Sequence, residues 1–154
     1  MKKTDKLKKQ IKELQNEIYK IEQEKREMAL IKTVSKVYNK IKDARYIITT
    51  HALFIKIYRV TKVYEGKGRW GKPGCLIEFD QSCTLSDDIA QCLYRKDITG
   101  ENNKTEIYKD KDCWGNKISS YRVISEKEYY EIKQQITTHR EHLNNLKKFI
   151  QKFL

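Results

Sequence analysis

Apolar residues repeat every three or four positions at both ends of this 154-residue chain, and this repeat constrains the fold more than any other feature. From Leu7 to Met28 the spacing alternates between four and three, with Lys25 as the one polar member. Residues 132–153 repeat the same spacing, which is typical of a coiled-coil helix. Neither segment contains glycine or proline, so both are predicted to form unbroken helices.

Charges beside the two apolar seams indicate how the helices pair. The first seam is flanked by the acidic residues Glu17, Glu22 and Glu24, and the second by the basic residues Lys133, Arg140, His142 and Lys147. Opposite signs favour pairing of the two ends of one chain, whereas a parallel pair of first helices would set Glu17 beside Glu22 of the other copy. We predict an antiparallel coiled-coil hairpin, in a monomer or in a homo-oligomer joined by coiled coils.

Local signals place the ends of these helices. Ser125 followed by Glu128 is a capping box that predicts the start of the second helix. The first helix is predicted from about Asp5 to Asp43, and beyond Met28 its apolar residues lie on a rotated face. That rotated face is expected to pack against the centre of the chain.

The centre of the chain is rich in β-branched and aromatic residues, which favour strands. Strands are predicted at residues 53–65, 75–80, 105–108 and 118–124, with a short helix at 86–94 and a turn at 97–104. The predicted fold class is α+β, with a small antiparallel sheet inserted between two terminal helices. The predicted divisions are an N-terminal helix (1–45), a β-rich domain (46–124) and a C-terminal helix (125–154).

The net charge of +12, from 33 basic and 21 acidic residues, favours a polyanionic partner and argues against a mimic of DNA. The first 45 residues alone carry 14 basic and 7 acidic side chains. The sequence contains no apolar stretch typical of a signal peptide or a membrane span, so we expect a cytoplasmic protein without membrane contact. Its cysteines are then expected to be thiols.

Motifs for catalysis or metal binding are weak. The loop Gly66–Lys72 resembles the start of a Walker A motif, but Pro73 replaces the hydroxyl residue that would bind magnesium. The four cysteines lack CxxC spacing, so zinc would require ligands that converge in space. Two carboxylate pairs, Asp87 with Asp88 and Glu78 with Asp80, are of a kind that is common on solvated surfaces. We therefore predict no catalytic site, metal or cofactor.

Basic residues interleaved with aromatic ones are the strongest functional signal, because single-stranded nucleic acid is held by stacking on aromatic rings in a cationic groove. A helical lysine stripe adds phosphate contacts. The candidate nucleic-acid-binding residues are Lys32, Lys36, Lys40, Arg59, Lys67, Arg69, Trp70, Lys72, Arg95, Lys96, Trp114 and Arg122. The same aromatic residues would also suit a sheet core.

These signals predict a non-catalytic basic binding protein. Its partner is nucleic acid, single-stranded or bound mainly through its backbone, or a nucleoprotein complex. The alternative is a protein–protein interaction inhibitor or adaptor, such as an anti-defence protein of a phage or mobile element, because a helical stalk with a small β domain also suits display of a protein-binding surface.

Overall fold

The computed structural model describes residues 2–51, 54–86, 97–111, 113–115 and 117–153. The elements, in chain order, are α1 (Lys3–Ile41), β1 (Tyr46–His51), β2 (Phe54–Lys67), β3 (Pro73–Ser86), β4 (Ile98–Ile107), β5 (Asp110–Lys111), β6 (Lys117–Val123) and α2 (Glu126–Gln151). One 3-10 turn, Arg69–Gly71, joins β2 to β3. The predicted α+β class with an antiparallel sheet is confirmed.

The six strands form one sheet in the order β4-β3-β2-β1-β6-β5. Its edge strands β4 and β5 are joined through residues 108 and 109 alone, a connection that spans at most about 11 Å. In a flat sheet the two edge strands would lie five strand spacings apart, a distance of about 24 Å. The sheet is therefore strongly curled and its edges approach each other near Tyr108, whose carbonyl accepts a hydrogen bond from Ser119 Oγ of β6 at 3.4 Å.

Each face of the curled sheet packs against one helix. Neighbouring residues of a strand point to opposite faces, and Ile47 and Ile48 of β1 accordingly belong to different apolar clusters. On the concave face, the last turns of α1 pack against β1, β2, β3 and β4 through Val34, Val37 and Ile41. On the convex face, α2 packs against β1, β2 and β3 through Tyr129 and Ile136. The sheet thus separates the buried parts of the two helices.

The antiparallel coiled-coil hairpin is not confirmed. The seam of α1 faces solvent, with exposed fractions between 53% and 58% for Leu7, Ile11, Leu14, Ile18 and Ile21. The outer end of α2 is likewise exposed at Leu146, Phe149, Ile150 and Phe153. The apolar repeat predicted the two helices correctly, but it did not predict which surfaces they pack against. The last turns of α1 and the first half of α2 are buried against opposite faces of the sheet, not against each other.

Both predicted helices are present. Ser125 caps α2: its Oγ accepts from the Glu128 N–H at 3.1 Å, and the Glu128 carboxylate accepts from the Ser125 N–H at 3.2 Å. Hydrogen bonds from the backbone and side chain of Ser125 to the Glu128 carboxylate lower the pKa of Glu128 from its ordinary value. No helix in the described part of the chain has an apolar stretch long enough to cross a membrane.

The strand predictions need four corrections. Strands β1 and β5 were not predicted, and β3 extends to Ser86, well beyond the predicted end at Asp80. Residues 98–104, predicted as a turn, belong to the edge strand β4, which pairs with β3 from Ser82 to Cys75. Backbone pairing there outweighs the low strand propensity of a glycine- and asparagine-rich segment. The helix predicted at 86–94 begins on strand residue Ser86 and otherwise lies outside the described residues.

Candidate nucleic-acid interface

The hairpin tip, residues 66–74 between β2 and β3, brings four of the candidate residues together: Lys67, Arg69, Trp70 and Lys72. The tip is closed by a hydrogen bond from the Gly68 N–H to the Lys72 carbonyl at 2.7 Å and another from the Lys72 N–H to the Arg69 carbonyl at 3.1 Å. It is therefore an ordered turn rather than an irregular loop.

Trp70 has an unusual conformation at the apex of this tip. Its backbone lies in the left-handed region, with φ 55° and ψ 30°. A residue other than glycine in this region loses about 1 kcal/mol or more of folding free energy. The indole is 87% exposed, so burial of the ring does not compensate for this cost. The turn displays the aromatic ring to solvent at the expense of backbone strain.

Glu106, near the end of β4, anchors the tip to the neighbouring strand. Its carboxylate accepts from the Arg69 N–H at 2.8 Å and lies 3.4 Å from Arg69 Nε. A Cβ added to Gly68 or Gly74 would meet this carboxylate at 2.5 to 2.7 Å, which explains glycine at both positions. Sequence reasoning missed Glu106 because nothing local in the sequence connects it with the tip, which lies more than 30 residues away.

Arg69 is held in place by side chains that surround the tip. Its guanidinium stacks on the Tyr108 ring at 3.6 Å from the centroid, and its Nη1 lies 3.7 Å from the Asp110 carboxylate. With Glu106 as a second anionic neighbour, its charge is largely compensated locally. Arg69 therefore links the tip to the region where the two sheet edges approach. Lys67 and Lys72 form no ion pair with an acidic side chain in the described part of the chain.

Helix α1 adds a basic residue that the sequence analysis did not select. Arg26 lines a groove with Lys72 and Pro73, and Lys67 lines an adjoining groove beside Ile31 of the same helix. Lys67 and Lys72 are exposed on either side of Trp70. We call Arg26, Lys67, Trp70 and Lys72 the tip cluster. It combines three cations with one exposed aromatic ring, and the carboxylate residue Glu27 lines both grooves beside it.

The other candidate residues are spread over the surface or committed elsewhere. Arg59 forms a two-bond ion pair with Asp80, at 2.8 and 2.9 Å, and this hydrogen bonding lowers the pKa of the carboxyl. Trp114 is 82% exposed in the turn between β5 and β6, four residues beyond Asp110. Four further candidates are exposed away from the tip: Lys32, Lys36, Lys40 and Arg122. Arg95 and Lys96 lie outside the described residues.

The lysine stripe of α1 points away from the sheet. At 100° per residue, Lys32 and Lys36 lie on the side of the helix away from the buried Val34, Val37 and Ile41, whereas Lys40 lies at about 90° to that buried face. They face solvent but do not extend the tip cluster directly.

The concave face also contains a cavity of about 300 Å³ that the sequence did not indicate. Hydroxyl groups dominate its lining, from Thr49, Thr50, Tyr58, Thr105, Tyr108, Ser119 and Ser120. Burial raises the pKa of Tyr58, whose hydroxyl hydrogen-bonds with Thr49 and Thr105. Glu106 lines this cavity and also accepts the hydrogen bond from the Arg69 N–H, so one residue connects the cavity with the hairpin tip.

The residues considered for metal binding are dispersed. Asp80 is paired with Arg59, and the Glu78 carboxylate lies 3.8 Å from Lys104 Nζ. Cys75 and Cys83 are buried thiols, and burial raises their pKa to about 11 and about 12. Among the described residues no three metal-ligating side chains converge. Asp87, Asp88 and Cys92 lie outside that part of the chain.

Comparisons with protein-family models, with curated proteins and with solved structures find no match to this chain.

Proposed function

We propose that the chain is a non-catalytic binding protein that holds single-stranded nucleic acid at the tip cluster. Trp70 would stack on a base, while Arg26, Lys67 and Lys72 would contact neighbouring phosphates. The observation that supports this most directly is the strained, 87% exposed Trp70 between exposed lysines. Base stacking on an aromatic ring contributes about 1 to 3 kcal/mol per base without reading sequence.

The construction of the tip supports the same proposal. Glu106, Tyr108 and Asp110 hold Arg69, so the turn is ordered before any ligand arrives. Binding would then require little further ordering of the protein, which favours affinity. The net charge of +12 would attract the polyanion over a long range, and the lysine stripe of α1 offers a second contact for a longer strand.

Fluorescence anisotropy with a labelled single-stranded oligonucleotide tests the stacking role. Trp70→Ala should weaken binding by about 5- to 150-fold, the equivalent of one lost stack, while the matched control Trp70→Phe should retain most of the affinity. Far-ultraviolet circular dichroism should show unchanged folding, because the indole is exposed. Equal affinity for wild type and Trp70→Ala would refute the role of this residue.

Salt dependence tests the phosphate role. Replacing Lys67 and Lys72 together by glutamine should reduce the slope of log affinity against log salt by about 1.4, since each single-strand phosphate contact contributes about 0.7. The matched control replaces Lys148 and Lys152, at the far end of α2, which should change the slope much less. Tight binding that does not change with salt would contradict a phosphate-led interface.

A protein partner is the alternative proposal, as an inhibitor or adaptor. Two tryptophans exposed by more than 80%, Trp70 and Trp114, favour it because tryptophan is enriched at binding hot spots. Under this alternative the purified protein would bind no oligonucleotide at physiological salt. It would instead retain one partner protein after nuclease treatment, and Trp70→Ala would release that partner.

A further inference from the structure

The apolar seam of α1 has no partner within the described chain. Its five consecutive apolar members are more than half exposed: Leu7, Ile11, Leu14, Ile18 and Ile21. Gln23 is the first residue of α1 that lines a groove together with the hairpin tip. Leu30 is the first residue of α1 that packs on the sheet core. Residues 3–22, about 30 Å of helix, therefore project from the body of the protein. A contiguous exposed apolar stripe of this kind marks an interaction surface.

We propose that a second copy of this chain covers the seam, in an antiparallel two-stranded coiled coil formed by residues 3–22 of each copy. Isoleucine occupies the a positions of the heptad, at Ile11 and Ile18, and the d positions hold Leu7, Leu14 and Ile21, an apolar core typical of a coiled coil. Lys25, at the next a position, ends the uninterrupted apolar seam. In the proposed register Ile11 lies opposite Leu14 of the partner subunit.

Charge distribution decides the orientation, because the core pattern alone would also suit a parallel pair. A parallel pair would place Lys3 beside Lys8 of the partner subunit and Glu17 beside Glu22 of the partner subunit, which repel. The antiparallel register instead places Lys3 beside Glu24 of the partner subunit. It also sets residues 2–12, with six basic and one acidic side chain, against residues 13–23, with three acidic and one basic.

The arrangement of the two bodies favours the same orientation. Residues 30–154 carry 24 basic and 15 acidic side chains, so two copies of the body repel each other. An antiparallel coil with its two-fold axis between residues 12 and 13 holds the two copies of Gln23 about 30 Å apart and the two copies of Leu30, where each helix packs on its sheet, about 50 Å apart. A parallel coil would instead bring both basic bodies to the same end. The coil also ends before Arg26, so the tip cluster of each copy stays accessible.

Sedimentation equilibrium of the full chain up to about 100 μM tests the association, with wild type expected to form a dimer. Ile18→Asp should weaken the dimer by at least about 100-fold, because each dimer loses two core side chains. Tyr19→Asp is the matched control, with the same added charge on an equally exposed neighbour outside the seam, and should remain dimeric. A monomeric wild type would overturn the proposal. So would a dimer that survives Ile18→Asp, since another surface, such as the exposed end of α2, would then join the copies.

Disulfide trapping tests the orientation and register. Ile11→Cys and Leu14→Cys are prepared separately in a Cys113→Ser background, because Cys113 is exposed. Oxidation of a mixture of the two variants should link residue 11 to residue 14, as mapped by mass spectrometry of peptides, while each variant alone should form little cross-link at these positions. Efficient cross-linking of either variant to itself would show a parallel pair and overturn the inference.

Discussion

The attachment of α1 to the sheet depends on a small number of buried side chains, and Ile41→Ala tests this dependence. Ile41 is fully buried in the last turn of α1 and packs in the cluster of the concave face. The substitution removes three carbon groups, a transfer loss of about 2.4 kcal/mol at about 0.8 kcal/mol for each. The cavity left behind raises the expected loss of unfolding free energy to about 3 to 4 kcal/mol.

Urea denaturation followed by circular dichroism measures this loss, and the thermal midpoint should fall by about 10 °C for a chain of this length. Ile31→Ala is the matched control: the same substitution in the same helix, at a half-exposed residue outside the Leu7–Ile21 seam. Its loss should stay below about 1 kcal/mol, because little apolar surface is uncovered and alanine favours the helix. Equal losses for the two variants would refute the idea that burial of the last turns attaches α1 to the sheet.

Three further predictions concern the cap, one ion pair and the thiols. Ser125→Ala should lower the unfolding free energy by about 1 kcal/mol while Ser125→Asp retains the cap, and equal stability of both variants in urea would contradict this. The Arg59 guanidinium lowers the pKa of Asp80 in the folded state, so the stabilising effect of this carboxylate is complete above about pH 5 and is lost as pH falls below the unfolded value of about 4 and through the lower folded pKa. The stability difference between wild type and Asp80→Asn should therefore shrink in acid, and a constant difference would contradict the pairing. Iodoacetamide at about pH 8 should modify the exposed Cys113 much faster than the buried Cys75 and Cys83, as peptide mass mapping can show, and equal rates would contradict their burial.

Much of the helical structure could be predicted from local patterns. The apolar repeat and the absence of glycine and proline predicted α1, and the capping box at Ser125 placed the start of α2. These features depend on residues within a few positions of one another, which is why a single sequence shows them. Strand β1 was missed because its six residues, Tyr46–His51, follow directly on a long helix and end in three polar residues.

The candidate site could be predicted only in part. Lys67, Trp70 and Lys72 share one short loop, so their proximity follows from chain connectivity. The support of that loop by Glu106 and Tyr108 could not be predicted, since it depends on β4 lying beside β3 and on the curl of the sheet. The same curl creates the hydroxyl-lined cavity from four different strands.

The amino-acid sequence by itself determined where the helices lie, how α2 begins and that the chain is strongly basic, because backbone propensity, capping and charge are local or additive properties. The tertiary structure decided which surfaces those helices bury and which they leave exposed. A strand presents alternate residues to opposite faces, so Ile47 and Ile48 direct α1 and α2 to opposite sides of one sheet. The two apolar seams are thereby kept from meeting along their length, and the seam of α1 stays exposed.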